Sequence, residues 1–524
     1  MCLSTSAASR SECQLRHAIA GSGELVQPPG QECRTKSASE EALWTLQKDP
    51  GSLDRFWTGY CSDFSWELLG RTTAYYLSRH PSFNPAFHRI TLLEANSIAA
   101  GASGKAGGLL GLWAYPQCIV PLSYQLHADL AAEHGGAERW GYRTVGCGQV
   151  AATLKHKDLN GTRSRQQNGH SNGAQPINNT DSLSGSSSPV PKLENSDGIF
   201  GPLPGARQPD DDLGKEWEKL PKQDKAATQL LTKSVLPTDL DWVDSNLIKE
   251  YAEMGQPGFT ETAQVHPFQF TTQIAALAEA KGVVIKTDAR VTKISLTLGK
   301  TNVDSVQYLD GESGKLETIR SVSDVVVAAG PWSGKLIPNA KIEGLRVHSV
   351  IFGADVSPYA VFTNITLPMN WVPPHRAAQG QKRRHRCRVD PEIYARPGGE
   401  VYACGEPDST IPLPEAADQA ECDEAQCDDL IAYIGTVSST LGSAPILAKQ
   451  SCYIPRHMRF GEERSPLVGG TSVAGLWIAA GHTCWGIQNG PATGKLMSEY
   501  IFNGAPKSAD IDELDPRQYK VGLS

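Results

Sequence analysis

The sequence predicts an α/β protein: a parallel sheet assembled from widely separated stretches of chain, joined to a second, α+β lobe built on an antiparallel sheet. Three observations carry that prediction. The helix-forming stretch "GRTTAYYLSRHP", from Gly70, is followed by the short apolar run "RITLLEA", as in a strand-helix-strand unit. Far downstream, "SDVVVAAGPWSG" (323–334) sets β-branched residues between turn formers, the composition of a strand buried on both faces. Between this run and the C-terminus, "PEIYARPGGEVYACG" breaks at Pro397-Gly398-Gly399, which predicts an antiparallel hairpin.

A chain of 524 residues is long enough for two or three domains with a sizeable core. Its net charge of -8 gives no electrostatic reason to expect nucleic acid or an anionic membrane surface as partner, so a small molecule or a protein is the expected partner. The twelve cysteines contain no CxxC pair and no charged-then-apolar leader is apparent. Reduced thiols and a cytoplasmic location are expected from this. No apolar run approaches the roughly 18 residues of a membrane span.

Residues 1–64 mix small, polar and proline residues without a sustained period and are expected to be poorly ordered. The helix from Gly70 then raises a question. A dinucleotide-binding turn carries Gly-x-Gly-x-x-Gly ahead of such a helix, and only the last glycine is in place: Ser65 and Glu67 stand in the other two slots. The preceding "GYCSDF" is too polar for a central buried strand, so the sheet is expected to lack its middle member. Two side chains where backbone should approach a pyrophosphate, one of them acidic, predict a loss of about 3 to 6 kcal/mol, or roughly 10² to 10⁴ in affinity.

Downstream of that turn the pattern is intact. Glu94 closes the apolar run at the spacing of an acid that accepts from ribose hydroxyls. "GASGKAGG" follows, with unshielded backbone N–H groups at Gly107 and Gly108, a hydroxyl at Ser103 and a charge at Lys105. Residues 157–215 are rich in Asn, Gly, Ser and Pro and are expected to form a disordered insertion, a plausible docking segment for a protein partner. Residues 370–388, containing "KRRHRCR", are expected to be a solvated basic loop. Near the C-terminus, "AGHTCWGIQNGPATGKLM" reads as strand, glycine-spaced loop and helix N-terminus. Two potential ligands, His482 and Cys484, with no further His/Cys cluster make a poor zinc site, so no metal is expected.

The stretches "LLEANSIAAGASGKAGGLL", "TAQVHPFQFTTQIAALAEAKGV", "VVVAAGPWSG" and "GLWIAAGHTCWGIQNGPATGKLM" together resemble, in order, the motifs of the FAD-dependent oxidoreductases that include D-amino acid oxidase, glycine oxidase and monomeric sarcosine oxidase, and more closely a fungal group of oxidoreductases within that family. The resemblance runs from about Gly70 to Asn503. It implies a Rossmann-like FAD-binding domain from residues 65–115, 262–344 and 465–505, and a substrate domain from 116–156, 230–261 and 345–464. It places Gly70 and Glu94 at the ADP half of FAD, Ser103, Lys105, Gly107 and Gly108 along the pyrophosphate and ribityl chain, and Ala329, Gly330 and Trp332 beside the cofactor. Gly481, His482, Gly486, Gln488 and Gly490 fall at the isoalloxazine ring. Tyr394 and Arg396 become the substrate-facing candidates for catalysis, and His266 has a structural role.

The implied chemistry is oxidation of a carbon-nitrogen bond of an amine or amino acid, with hydride passing to flavin N5 and oxygen as acceptor. Cys452 falls near where sarcosine-oxidase-like relatives carry a cysteine joined to the flavin, the alternative being a buried, unreactive thiol. Those relatives also place an arginine for the substrate carboxylate soon after the "GAS" loop, where this chain has Gly-Gly-Leu-Leu. Two other readings compete: a non-catalytic interaction protein that keeps the fold without the cofactor, and an NAD-binding dehydrogenase, which leaves the "AGHTCWG" stretch unexplained.

Overall fold

The middle of the parallel sheet is occupied by β1 (Arg55–Tyr60, RFWTGY), which pairs in parallel with β2 (His88–Leu93) on one side and with Val322–Val327 on the other. The expected gap is therefore filled, by a segment that begins four residues before the "GYCSDF" stretch and ends on its first two residues, Gly59 and Tyr60. Phe56, Trp57 and Tyr60 are strong strand formers. The structure, a computed structural model, describes residues 68–159, 214–218, 230–255 and 261–523 in full and residues 55–60 as backbone. The rest of the expected poorly ordered N-terminus, and the turn holding Ser65 and Glu67, lie outside the described residues.

The sheet has six strands in the order Leu467–Gly470, Leu476–Ala480, Val322–Val327, β1, β2, Val284–Lys286. Only the first runs antiparallel to its neighbour. Helix α1 (Leu68–Leu77) packs on this sheet and against the C-terminal helix Gly486–Asn503. The two helices approach closely because Gly494 has no side chain: a Cβ there would sit 2.4 Å from the Thr72 carbonyl carbon. The Thr72 hydroxyl donates to the Gly490 carbonyl at 2.8 Å across the same contact. Leu68, Leu69, Ile90, Leu92, Phe270 and Val325 belong to the core that results, all nearly inaccessible to water.

The second lobe is built on a ten-stranded sheet. The predicted hairpin is part of it: Glu392–Arg396 pairs antiparallel with Glu400–Asp408, Tyr394 opposite Tyr402. Gly398 and Gly399 make the turn with φ of +84° and +77°, a backbone region that favours glycine.

Two expectations about inserted segments are corrected. At the C-terminal edge of the 157–215 insertion, residues 214–218 dock on the second lobe. The Lys215 N–H donates to the Arg384 carbonyl at 2.9 Å and its carbonyl accepts from Arg386 at 2.8 Å. At the other edge, residues 156–159 form a helical turn, and 160–213 lie outside the described residues. Residues 370–388 are not simply a solvated loop, because their basic groups serve as internal donors. The Arg383 guanidinium is buried and donates to the carbonyls of Pro368, Trp371 and His385 at 2.8, 3.0 and 2.7 Å. His385 is buried between the Tyr433 hydroxyl and the Glu406 carboxylate, at 2.9 and 2.8 Å. Arg376 forms a two-pronged ion pair with Asp429.

Candidate functional site

The first-turn amides of α1 need acceptors, since a helix start leaves N–H groups without internal partners. Ser103 supplies one: its hydroxyl accepts from the Leu68 N–H at 2.8 Å, which ties the "GASGKAGG" loop to the start of the helix. Gly70 is buried in the same turn. Glu94 stands at the end of β2 as expected, fully buried. Its carboxylate accepts from the Asn96 N–H at 3.1 Å and from the Arg71 guanidinium at 2.9 Å. Both partners of that ion pair are 0% exposed. Arg71 was not among the sequence-predicted residues, although a charged residue in the first turn of a helix packed on a sheet was a visible signal for a buried partner.

Lys105 turns away from the phosphate role given to it. Its ammonium donates to the Ser451 carbonyl at 3.1 Å, joining the loop to the strand Ile446–Arg459. Gly107 and Gly108 shape the turn that follows. A Cβ on Gly107 would come within 2.3 Å of the Tyr394 ring, and Gly108, at φ +80°, would bring one within 2.0 Å of the Val265 carbonyl oxygen. Close backbone approach here therefore requires glycine.

These elements enclose a cavity of about 430 Å³. Ser103 and Ala106–Leu109 line it at one end, Thr483–Ile487 and Cys452 at another, and the Tyr394 hairpin at a third. Gly486 is in the lining; Gly481, at φ +89°, turns the chain out of the sheet toward it. Ala329, Gly330 and Trp332 are buried but do not line the cavity, and the Trp332 indole donates to the Pro414 carbonyl at 2.8 Å. His266, N-capping the helix Pro267–Glu279, holds the structural place expected of it.

The polar groups of the site fall into two sets. His482, held by Thr493 at 3.0 Å, is kept neutral by burial, which lowers its pKa to about 3. The Gln488 carbonyl oxygen accepts from the Gly111 N–H at 2.8 Å. His482 Nδ1 and Gln488 Nε2 are buried without a hydrogen-bond partner. Orphaned buried donors or acceptors are costly unless a ligand satisfies them, and these two residues flank the cavity-lining stretch Thr483–Ile487. On the hairpin, Tyr394 stacks on Tyr402 with ring centres 5.8 Å apart and donates its hydroxyl to Glu392. The Cys404 thiol points to the same Glu392 oxygen at 3.7 Å. Burial first, then the Glu392 charge, pushes both the Tyr394 hydroxyl and the Cys404 thiol well above their usual ranges, so both stay protonated donors. Arg396 is absent from the cavity wall. Its guanidinium donates to the Ala106 carbonyl, pairs with Glu400 at 3.3 Å and lies over the Tyr402 ring at 4.8 Å, holding the hairpin against the glycine loop.

A parallel sheet whose first helix is capped by a glycine loop, beside a cavity lined in part by the antiparallel sheet, is an arrangement suited to a bound cofactor. Comparison with known proteins makes that specific. The chain belongs to the DAO family of FAD dependent oxidoreductases, whose profile matches residues 68–195 and 201–500. It is 32% identical over 508 residues to the Saccharomyces cerevisiae protein named "Putative oxidoreductase TDA3", covering 86% of this chain and 93% of that one. The Schizosaccharomyces pombe "Putative oxidoreductase C1F5.03c" is 28% identical over 463 residues, covering 86% and 95%. Among solved structures, glycine oxidase from Geobacillus kaustophilus has a TM-score of 0.55 at 16% identity, covering 89% of this chain and 98% of its own. Iminodiacetate oxidase from Chelativorans has a TM-score of 0.53 at 15% identity, covering 88% and 99%. FAD is the family's cofactor. Ser103, Gly107 and Gly108 line the cavity, and the unsatisfied polar atoms at His482 and Gln488 fit such a group, while the Glu94 carboxylate is engaged by Arg71 and the Asn96 N–H. Among the described residues no three His, Cys, Asp or Glu side chains are grouped to hold a metal, and no helix is long and apolar enough to cross a membrane.

Proposed function

We propose that this chain oxidises a carbon-nitrogen bond of a small amine or amino acid in the cavity between its two lobes, with oxygen as acceptor. The observation that carries the reading is the cavity itself, where the Gly107–Gly108 turn, the start of the C-terminal helix and the Tyr394 hairpin meet around one space. The bound flavin supplies the two-electron oxidation that yields an imine.

The protein's own residues bind, orient and exclude water. Glu94, Ser103, Gly107 and Gly108 would hold the cofactor along its length, and Gly486, His482 and Gln488 would face its ring system. Neutral His482 adds no charge there. Tyr394, rigid against Gly107 and Tyr402, presents an aromatic face and a protonated hydroxyl to the substrate side. Arg396 acts behind it as a positioning residue. Trp113, Phe362 and Trp485 complete an apolar wall that keeps bulk water from the reacting carbon.

Incubating the purified protein with FAD and a panel of amines and amino acids, and following hydrogen peroxide release, tests the reading. Peroxide with at least one of them supports it. A flavin-loaded protein that no member of the panel reduces favours the non-catalytic alternative. Cys452 lines the same cavity, so attachment to its Sγ belongs to this reading as well. After acid precipitation, flavin colour in the pellet marks a covalent bond, and colour left in the supernatant excludes it.

A further inference from the structure

The helix Glu424–Gly435, in the second lobe, begins with a capped first turn. The Asp423 carboxylate accepts from the N–H groups of Ala425 and Gln426 at 3.0 and 3.3 Å. Asp423 is therefore the N-cap, Cys422 the residue just before it and Cys427 the fourth residue of the helix. Those two positions face each other at a helix start, where an apolar pair commonly closes the turn. Here both are cysteine, and their Sγ atoms lie 3.6 Å apart. Cys427 is 0% exposed, with its sulfur also 3.9 Å from the Ser349 carbonyl, whereas Cys422 is partly exposed. One sulfur is open to solvent and the other stands directly behind it. The turn is held from outside as well: the Asp423 N–H donates to His348 Nε2 at 3.0 Å, and Gln426 Nε2 donates to the Asp408 carboxylate at 3.0 Å.

We propose that Cys422 and Cys427 are a reversible redox pair, in which hydrogen peroxide oxidises Cys422 and Cys427 then closes a disulfide. The Cys422 thiolate attacks one peroxide oxygen: an S–O bond forms, the O–O bond breaks, hydroxide leaves to become water with a solvent proton, and the sulfur loses two electrons to give a sulfenic acid. The Cys427 sulfur attacks that sulfur next. The S–S bond forms, the S–O bond breaks, and the hydroxide leaves as water with the Cys427 proton. The local chemistry favours this division of roles. The hydrogen bond from the Cys427 thiol, with Lys449 adding to it, holds Cys422 below the ordinary thiol range against burial and the Glu424 and Asp423 charges. The same hydrogen bond, together with burial, pushes Cys427 up. Peroxide from any source suffices, so the pair does not depend on the oxidase reading.

The test starts from the full-length protein, fully reduced and freed of reductant. It is treated in its native state with hydrogen peroxide, denatured in iodoacetamide and cut with endoproteinase Glu-C, which cleaves after Glu424 and so separates the two cysteines. The expected product is a pair of peptides joined through Cys422 and Cys427, lacking both thiol hydrogens, which dithiothreitol separates. In Cys427→Ser the reaction should stop at a sulfenic acid on Cys422, trapped by dimedone. In Cys422→Ser the oxidation of Cys427 should slow at least about tenfold. A wild-type Cys422 that ends unlinked, as thiol or as sulfinic acid, a bond from either cysteine to a different one, or Cys427 oxidised equally fast without Cys422 would overturn the proposal. The wild-type measurement decides alone if either serine variant fails to fold.

Discussion

Arg71 and Glu94 form a fully buried ion pair across the first strand-helix-strand unit. Removing one partner leaves the other charge in the core, so Arg71→Met should destabilise the protein by about 3 to 5 kcal/mol in chemical denaturation. An unchanged midpoint would show that water or another group takes over the arginine's role. The buried histidines make stability pH-dependent. Burial lowers His127 and His348 to about 4 and His482 to about 3, with Arg346 adding to the effect at His348. The unfolded chain binds these protons first as pH falls through about 6.5, the ordinary histidine value. Stability is therefore complete above that pH and declines toward pH 4, at about 1.4 kcal/mol per pH unit for each histidine between its two pKa values. His127→Gln should make the slope of unfolding free energy between pH 6 and 5 shallower by about that amount, and an identical slope would contradict the assignment. At this scale the sequence was informative about glycines and less so about charges. Gly107 and Gly108 can be read from a motif, because only glycine tolerates such backbone contact. The partners of Lys105, Arg396 and Arg71 depend on which carbonyl or carboxylate the fold brings near, and spacing along the chain does not contain that.

β1 illustrates how an element can be misplaced while the sheet is correctly foreseen. Counting back from Gly70 put the strand in a polar stretch, but the chain pairs through Arg55–Tyr60 and leaves a longer connection to α1. Aromatic strand formers and two parallel neighbours outweigh the motif's spacing. Thr58 pairs with Val325 on one side and Thr91 on the other. Thr58→Pro removes a ladder donor from this central strand and should cost about 3 kcal/mol or more, read as loss of soluble, cooperatively folding protein. Full stability of that variant would mean that the strand is not central in solution. The connection itself carries the other expectation. Changing Ser65 and Glu67 together to glycine should tighten FAD binding by roughly 10² to 10⁴ in a fluorescence titration. No change would mean that this turn does not approach the pyrophosphate.

Over the whole molecule, the order of motifs along the chain was legible because each carries its own signature, from the Glu94 strand to the Gly486–Asn503 helix. How the second lobe closes on the first was not: the cavity depends on seating the Tyr394–Tyr402 hairpin against Gly107, a contact between residues hundreds of positions apart. The insertion divides in the same way. Composition marks its Asn/Gly/Ser-rich part, and deleting residues 160–209 should leave the thermal transition within about 1 °C, because such a segment has little apolar area to bury. Extending the deletion through Glu218 removes Trp217 and the Lys215–Glu406 ion pair at 2.8 Å, and should lower the transition measurably. Equal transitions for the two deletions would show that the docked residues contribute nothing. The most direct test of the central claim, that this fold houses FAD beside a substrate cavity, is the visible difference spectrum of the full-length protein titrated with FAD at equilibrium, followed anaerobically on addition of an amine. A saturable perturbation of the flavin bands, bleached by the amine, is the predicted result; a spectrum that stays the sum of free FAD and protein at saturating FAD would contradict the account.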